Sequence, residues 1–383
     1  MNRTAIVLGA GLGGIATAEF LRVRLPRNDC VIAVDRLDTH VFPPSLLWLM
    51  VGRRQPAEFS RPLERLARHG VKFRNGAVTR ISPAERTVEV DGERLAADAL
   101  VVALGADYAP ELIPGLAESG LCIYTLEGAT AIHDKLASFG QGRIAVMTAA
   151  PMYKCPAGPY EAALLVDDFL RRRGVRDRIE MDFYAAEPKP MVSAGPAVGA
   201  AVQGMIEARG IRYHPEHQVT TVVTADRKIS FANGTTAEYD LLLYVPPHRA
   251  PAVVREAGLT NESGWIPVDR NTLQTRFDGV YAIGDVTTIP LKMGRPLPKA
   301  GVFAHGEADV VAHNIAQAWT GKGASRQFDG GGMCFVETGG GRAGFGKGNF
   351  YAEPIPQVKL YQPSPFWQFG KVLYEKYWLW RHF

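Results

Sequence analysis

A chain of 383 residues with 46% hydrophobic side chains is long enough for about two domains with buried cores. Its formal net charge of +4 comes from basic residues scattered along the sequence, which argues against a nucleic-acid binder. Four widely spaced cysteines with no Cys-x-x-Cys exclude a disulfide-stapled scaffold, and the nine histidines form no pattern with them, so no metal site is expected.

Residues 5–8 are a short apolar run that leads directly into Gly9-Ala10-Gly11-Leu12-Gly13-Gly14, and residues 15–21 then follow helical spacing. Gly9 allows a tight turn, Gly11 lets the backbone approach a pyrophosphate, and Gly14 lets the helix pack close to the strand, so phosphate meets a helix N-terminus. A second apolar run, 31–34, ends in Asp35, placed where a ribose hydroxyl is accepted. This is the pattern of a dinucleotide site, and alone it does not separate FAD from NAD. Residues 45–51 suit a short apolar helix lying over a flavin. Strands are expected at 71–73 and 76–81, with Ala77 and Val78 as cofactor contacts, and a hairpin turns at Asp91-Gly92. Residues 98–106 read as a buried strand that runs to Gly105 and Ala106.

A second β-α-β unit is expected from strand 144–147, helix 160–172 and strand 179–184. Its connecting turn contains Pro151, Cys155, Pro156 and Pro159 where a second Gly-x-Gly-x-x-Gly would stand. A pyrophosphate needs free backbone N–H groups, and three prolines remove three of them, so the second nucleotide site is expected to be lost. Residues 241–245 are another buried strand. The stretch 275–286 ends in Gly284-Asp285, which in flavoproteins of this architecture sets a carboxylate on the ribityl chain; with the first motif it points to FAD. Pro298-Lys299-Ala300-Gly301 opens a helix over 302–319, where Lys299 would place positive charge near the flavin pyrimidine edge.

Cys334 lies among the glycines of 330–341, a composition suited to close backbone approach to a planar ring or another loop, or to a pair of hairpin turns. In the tail, Phe366, Phe369, Leu373, Tyr377 and Trp380 recur at helical spacing, with Gln368, Lys371, Glu375 and His382 on the opposite face. Such a helix suits a lipid interface, or alternatively packs on the core or another subunit. No uninterrupted apolar run of about 18 residues suggests a membrane span. No h-region precedes the first strand, so no cleaved signal peptide is expected.

These residues together resemble the sulfide:quinone oxidoreductases, and over the middle third also the flavoprotein subunit of flavocytochrome c sulfide dehydrogenase. The specific parts are Cys155-Pro156-Ala157-Gly158-Pro159-Tyr160-Glu161, Val245-Pro246-Pro247, Gly264-Trp265-Ile266-Pro267, Gly284-Asp285, Pro298-Lys299, Cys334 and the ending from Gly370-Lys371. The resemblance implies two Rossmann-like dinucleotide-binding domains of the disulfide-oxidoreductase flavoprotein type, plus a C-terminal amphipathic helical membrane-docking segment. It divides the chain into FAD-binding parts 1–110 and 251–325, a second Rossmann-like domain 111–250, and a redox-cysteine and membrane/quinone segment 326–383. It further implies FAD flanked by Cys155 and Cys334, with Glu161 as a proton relay and Cys122 near the place of a third functional cysteine. The histidine that the family carries after Glu187-Pro188 is not found in 189–198.

The expected function is oxidation of sulfide to sulfane sulfur or polysulfide with electrons passed to quinone, by a peripheral protein at the cytoplasmic membrane of a prokaryote, with a homo-oligomer left open. Alternatives are a type II NADH:quinone oxidoreductase-like enzyme, a flavocytochrome c-type sulfide dehydrogenase flavoprotein, and a non-catalytic flavoprotein that senses persulfide.

Overall fold

In the computed structural model, which describes residues 2–383, two parallel five-stranded sheets carry the chain. The first has the order Val280–Ala282, Ala99–Val102, Thr4–Leu8, Cys30–Asp35, Lys72–Asn75. Ile6, Leu8, Leu100 and Val102 are wholly buried on one face of it and Ala5, Val7 and Val101 on the other. Two-sided burial explains why these strands read as continuous apolar runs rather than alternating ones. Helices Leu12–Arg24 and Gly301–Thr320 pack on one face, and the antiparallel sheet Val78–Ser82, Thr87–Val90, Glu93–Ala96 covers the other.

The second sheet repeats this plan in the order Leu121–Cys122, Leu241–Val245, Gly142–Thr148, Ile179–Tyr184, Arg212–His214. Helix Gly158–Arg172 lies against it, buried along most of its length, and a three-stranded antiparallel layer from Val219 to Glu238 closes the far side. The strand expected over 98–106 is shorter, Ala99–Val102, because the chain turns at Gly105 with φ of +69°.

The glycine-rich segment around Cys334 is not a pair of hairpin turns. It is one strand, Gly331–Gly339, paired antiparallel with Arg342–Asn349, which in turn pairs with Gln357–Ser364. Its glycines serve close approach: a Cβ on Gly332 would meet the Phe303 ring at 2.3 Å, and one on Gly339 would meet Asp168 at 2.7 Å.

The chain ends in helix Pro365–His382, capped by the Ser364 side chain accepting from the Trp367 amide. This helix is inside out. Its polar residues Lys371, Glu375 and His382 are buried, while Phe366, Phe369, Leu373, Tyr377 and Trp380 are 52–77% exposed. Each inward group has a partner. Glu375 accepts from Ser45 at 2.6 Å and from Arg54 at 2.8 Å, and His382 meets Glu19 at 3.0 Å. Trp378, beside the outward set, is buried against Phe42.

Candidate active site

The dinucleotide cradle follows from the first strand and helix. Gly9 has φ of +97°, and a Cβ there would meet the Ala103 carbonyl oxygen at 2.4 Å. A Cβ on Gly14 would meet the Gly9 oxygen at 1.8 Å, so only glycine lets the helix start this close to the strand. Gly11 differs from both, since nothing lies within 4 Å of its Cβ position. Its backbone faces open space at a helix N-terminus, the condition for a pyrophosphate to approach. The Asp35 carboxylate accepts from the Ala10 amide at 2.6 Å and from Leu37 at 2.9 Å, so it borders this loop. Gly301 brings the second helix against the first, because a Cβ on it would meet Leu12 at 2.4 Å.

Around Gly284-Asp285 the cradle continues. The Gly284 amide donates to Glu307 at 2.7 Å, and Lys299 donates to the carbonyls of Asp285 and Thr287, each at 2.7 Å. The Lys299 ammonium also lies 3.5 Å from the centre of the Trp265 ring. Burial brings the Lys299 ammonium down to about 8 and pushes the Glu307 carboxyl up to about 7. Ala77 and Val78 stand at the rim beyond Asn75. The Ala77 amide and carbonyl are both engaged by Asp91, and Val78 pairs with Val90 in the hairpin sheet. The residues present fit a dinucleotide flavin: an open glycine cradle, an acid at the end of the second strand, and a carboxylate with a lysine at the far end.

The proline-rich turn presents Cys155 rather than a phosphate loop. Cys155 has φ of +49°, its amide donates to the Lys299 carbonyl at 2.6 Å, and its carbonyl accepts from Gly158 and Tyr124. Prolines remove the N–H at 151, 156 and 159, and the Cys155 and Gly158 amides are spent within the protein, so these are not free for a second pyrophosphate. Cys155 and Cys334, from distant segments, line one cavity of about 200 Å³ whose wall also includes Lys299. Burial drives both thiols upward, Cys155 to about 12. Cys122 is not among the lining residues; it sits on an edge strand opposite Tyr244, and burial brings its thiol to about 11.

Glu161, on the first turn of helix Gly158–Arg172, is buried and accepts from Lys371 at 2.7 Å and from the Glu337 amide at 2.8 Å. Lys371 also donates to Glu337 at 2.9 Å, and Trp48 and Arg53 complete the coordination of that carboxylate. One ammonium on the tail helix thus joins the helix after Cys155 to the strand that carries Cys334. The two carboxylates hold the Lys371 ammonium well above its usual range against burial, while burial raises Glu161. The roles of Glu337 and Glu307 escaped the sequence reading. A charged residue in an otherwise apolar or glycine-rich run, as Glu337 is, was the available signal.

A doubly sheeted α/β chain with a glycine cradle, a proline-rich second turn and two thiols lining one cavity has the build of a flavoprotein oxidoreductase of the disulfide-reductase type. The chain belongs to the pyridine nucleotide-disulphide oxidoreductase family, whose model matches residues 3–317. It is similar to the sulfide-quinone reductase of Aquifex aeolicus, 28% identical over 402 residues covering 100% of this chain and 91% of the relative. It is also 24% identical to the mitochondrial sulfide:quinone oxidoreductase of Dictyostelium discoideum, over 87% of this chain and 75% of that one. The crystal structure of the Aquifex aeolicus sulfide:quinone oxidoreductase superposes with a TM-score of 0.89 at 26% identity, covering 99% of this chain and 91% of that one. The resemblance to the sulfide:quinone oxidoreductases is therefore borne out, and with it the α/β fold of two dinucleotide-binding domains and the assignment as an oxidoreductase.

Proposed function

We propose that the chain oxidises sulfide at Cys155 and Cys334 and passes the electrons through FAD to a quinone at a membrane surface. The observation that carries this reading is the meeting of the two thiols in one cavity beside the Lys299 end of the dinucleotide cradle. Bound FAD supplies a two-electron acceptor between the sulfur and the quinone. The cysteines hold the sulfur: hydrosulfide attacks one sulfur of a Cys155–Cys334 disulfide, giving a persulfide on one cysteine and a thiolate on the other. Glu161 and Lys371 exchange a proton across their 2.7 Å hydrogen bond, on the first turn of the helix that follows Cys155. The Lys299 ammonium sets positive charge against developing negative charge on the acceptor.

The exposed aromatic face of helix Pro365–His382 supports docking in a lipid interface, where a quinone would be reached. Among the described residues no helix is long and apolar enough to cross a membrane, which suits a peripheral attachment. A reading as a type II NADH:quinone oxidoreductase is disfavoured by the spent N–H groups of the Cys155 turn.

The test is anaerobic flavin absorbance of the purified protein with sulfide in one cuvette and NADH in another, followed by a soluble quinone in each. Bleaching by sulfide with recovery on quinone supports the reading; bleaching by NADH alone sinks it.

A further inference from the structure

Glu187 is a buried carboxylate in the wall of the thiol cavity that none of the roles above uses. It accepts three hydroxyl hydrogen bonds, from Tyr160 at 2.6 Å, from Thr148 at 2.8 Å and from Tyr153, which itself lines the cavity two residues before Cys155. These donors come from the strand, turn and helix packed around it. From the edge strand Arg212–His214, Tyr213 faces the same cluster with a buried hydroxyl that has no partner among the described residues, its ring 6.5 Å from that of Tyr160. The loop beyond, with Glu216 and His217, reaches this segment through its backbone, and Lys189 is exposed.

No arginine, lysine or histidine of the described residues forms an ion pair with Glu187. That separates it from Glu161, whose negative charge is matched by Lys371 and which does not line the cavity. A buried carboxylate held only by neutral hydroxyls is a proton acceptor rather than one half of a salt bridge. Burial indeed raises its carboxyl above the ordinary range. The rest of the wall is largely apolar, with Met191, Val198, Phe303, Val358 and Leu360, and the Lys299 ammonium there is already engaged by two carbonyls. Such a wall admits a small neutral molecule more readily than its anion.

Building on the sulfide reading, we propose that hydrogen sulfide enters this cavity as the neutral molecule and that Glu187, through the Tyr153 hydroxyl, takes its proton. One S–H bond breaks and its proton moves to the Tyr153 oxygen as the phenolic proton passes to Glu187. Sulfur keeps the electron pair and becomes the nucleophile. The cluster does the work of a cavity-side base without a histidine.

The test is stopped-flow bleaching of the holoprotein by sulfide, across about pH 6 to about pH 9, for wild type, Glu187→Gln, Glu187→Asp and Tyr153→Phe. Loss of a general base is worth about 10²-fold or more, so Glu187→Gln should be slower by about that factor at the acid end. The deficit should shrink toward the alkaline end, where hydrosulfide is present already ionised, and Glu187→Asp should recover part of the rate. Tyr153→Phe, which leaves Glu187 two donors, should show the same pH-dependent deficit. Infrared difference spectra on sulfide addition should show the stretch of a newly protonated carboxyl in wild type and not in Glu187→Gln. A deficit of equal size at every pH, or none, overturns the inference while leaving the sulfide reading intact. A wild type that sulfide does not bleach overturns both.

Discussion

Replacing Lys371 with methionine isolates the one ammonium that ties the tail helix to both cysteine-bearing segments. The side chain is 7% exposed and donates to Glu161 at 2.7 Å and Glu337 at 2.9 Å. After the change Glu337 keeps Arg53 at 3.2 Å and the Trp48 indole at 2.5 Å, but Glu161 keeps only the Glu337 amide. Breaking a buried pair from one side costs about 3–5 kcal/mol, because the remaining charge has no compensation. For a protein of this size that lowers the melting temperature by roughly 4–6 °C. The loss carries a pH signature. The folded-state pKa of Glu161 already stands above its unfolded value, so its contribution to stability is present at low pH and is lost as pH rises through the folded value. Without Lys371 that pKa rises further, the protonated form is stored at little cost in acid, and the deficit relative to wild type widens toward alkaline pH. Calorimetry of both proteins over a pH series measures this, and adding Glu161→Gln to the variant should restore most of the lost stability. A deficit that does not change with pH, or a double variant no better than the single, would refute the charge-compensation reasoning.

Gly11→Ala should leave the fold intact, since its Cβ enters open space, yet purify largely without flavin; Gly14→Ala, whose Cβ meets the Gly9 oxygen at 1.8 Å, should fail to fold, as circular dichroism and flavin absorbance will tell. Cys155→Ser and Cys334→Ser should each abolish bleaching by sulfide while retaining the flavin spectrum. Replacing Trp380 and Phe369 with serine should weaken sedimentation with anionic vesicles by about tenfold or more, at roughly 1 kcal/mol or so per outward aromatic, with no fall in melting temperature. Lys299→Met should flatten the stability of wild type between about pH 8 and pH 10. The buried ammonium has a folded-state pKa lowered to about 8, so its cost is present in acid and relieved as pH rises.

Local grammar made much of this legible in advance. The glycine turn, Asp35, the buried strands and the tail helix all announce themselves within a few residues, because their causes are steric or periodic. The prolines around Cys155 likewise spoke directly to the loss of backbone donors. What stayed hidden depends on partners in other segments, from 27 to 363 positions away. Helical spacing told that the tail has an aromatic and a polar face, but only Glu161, Glu337, Ser45, Arg54 and Glu19 decide that the polar face turns inward. Glu187 was read only as a landmark for an absent histidine, since its three hydroxyl donors come from the strand ending at Thr148, the turn after it and the next helix. The Gly332 approach to Phe303 is of the same kind: the composition asked for a planar ring, and the fold supplied an aromatic side chain.

The inverted tail helix has a practical corollary for handling the protein. Trimming the last 19 residues to gain solubility would remove the groups that satisfy Glu161, Glu337, Ser45, Arg54 and Glu19, leaving charges stranded within the body of the molecule. A detergent-free form is better sought by repainting the outward aromatics with polar side chains, because the segment that would touch lipid is also a wall of the protein's own interior.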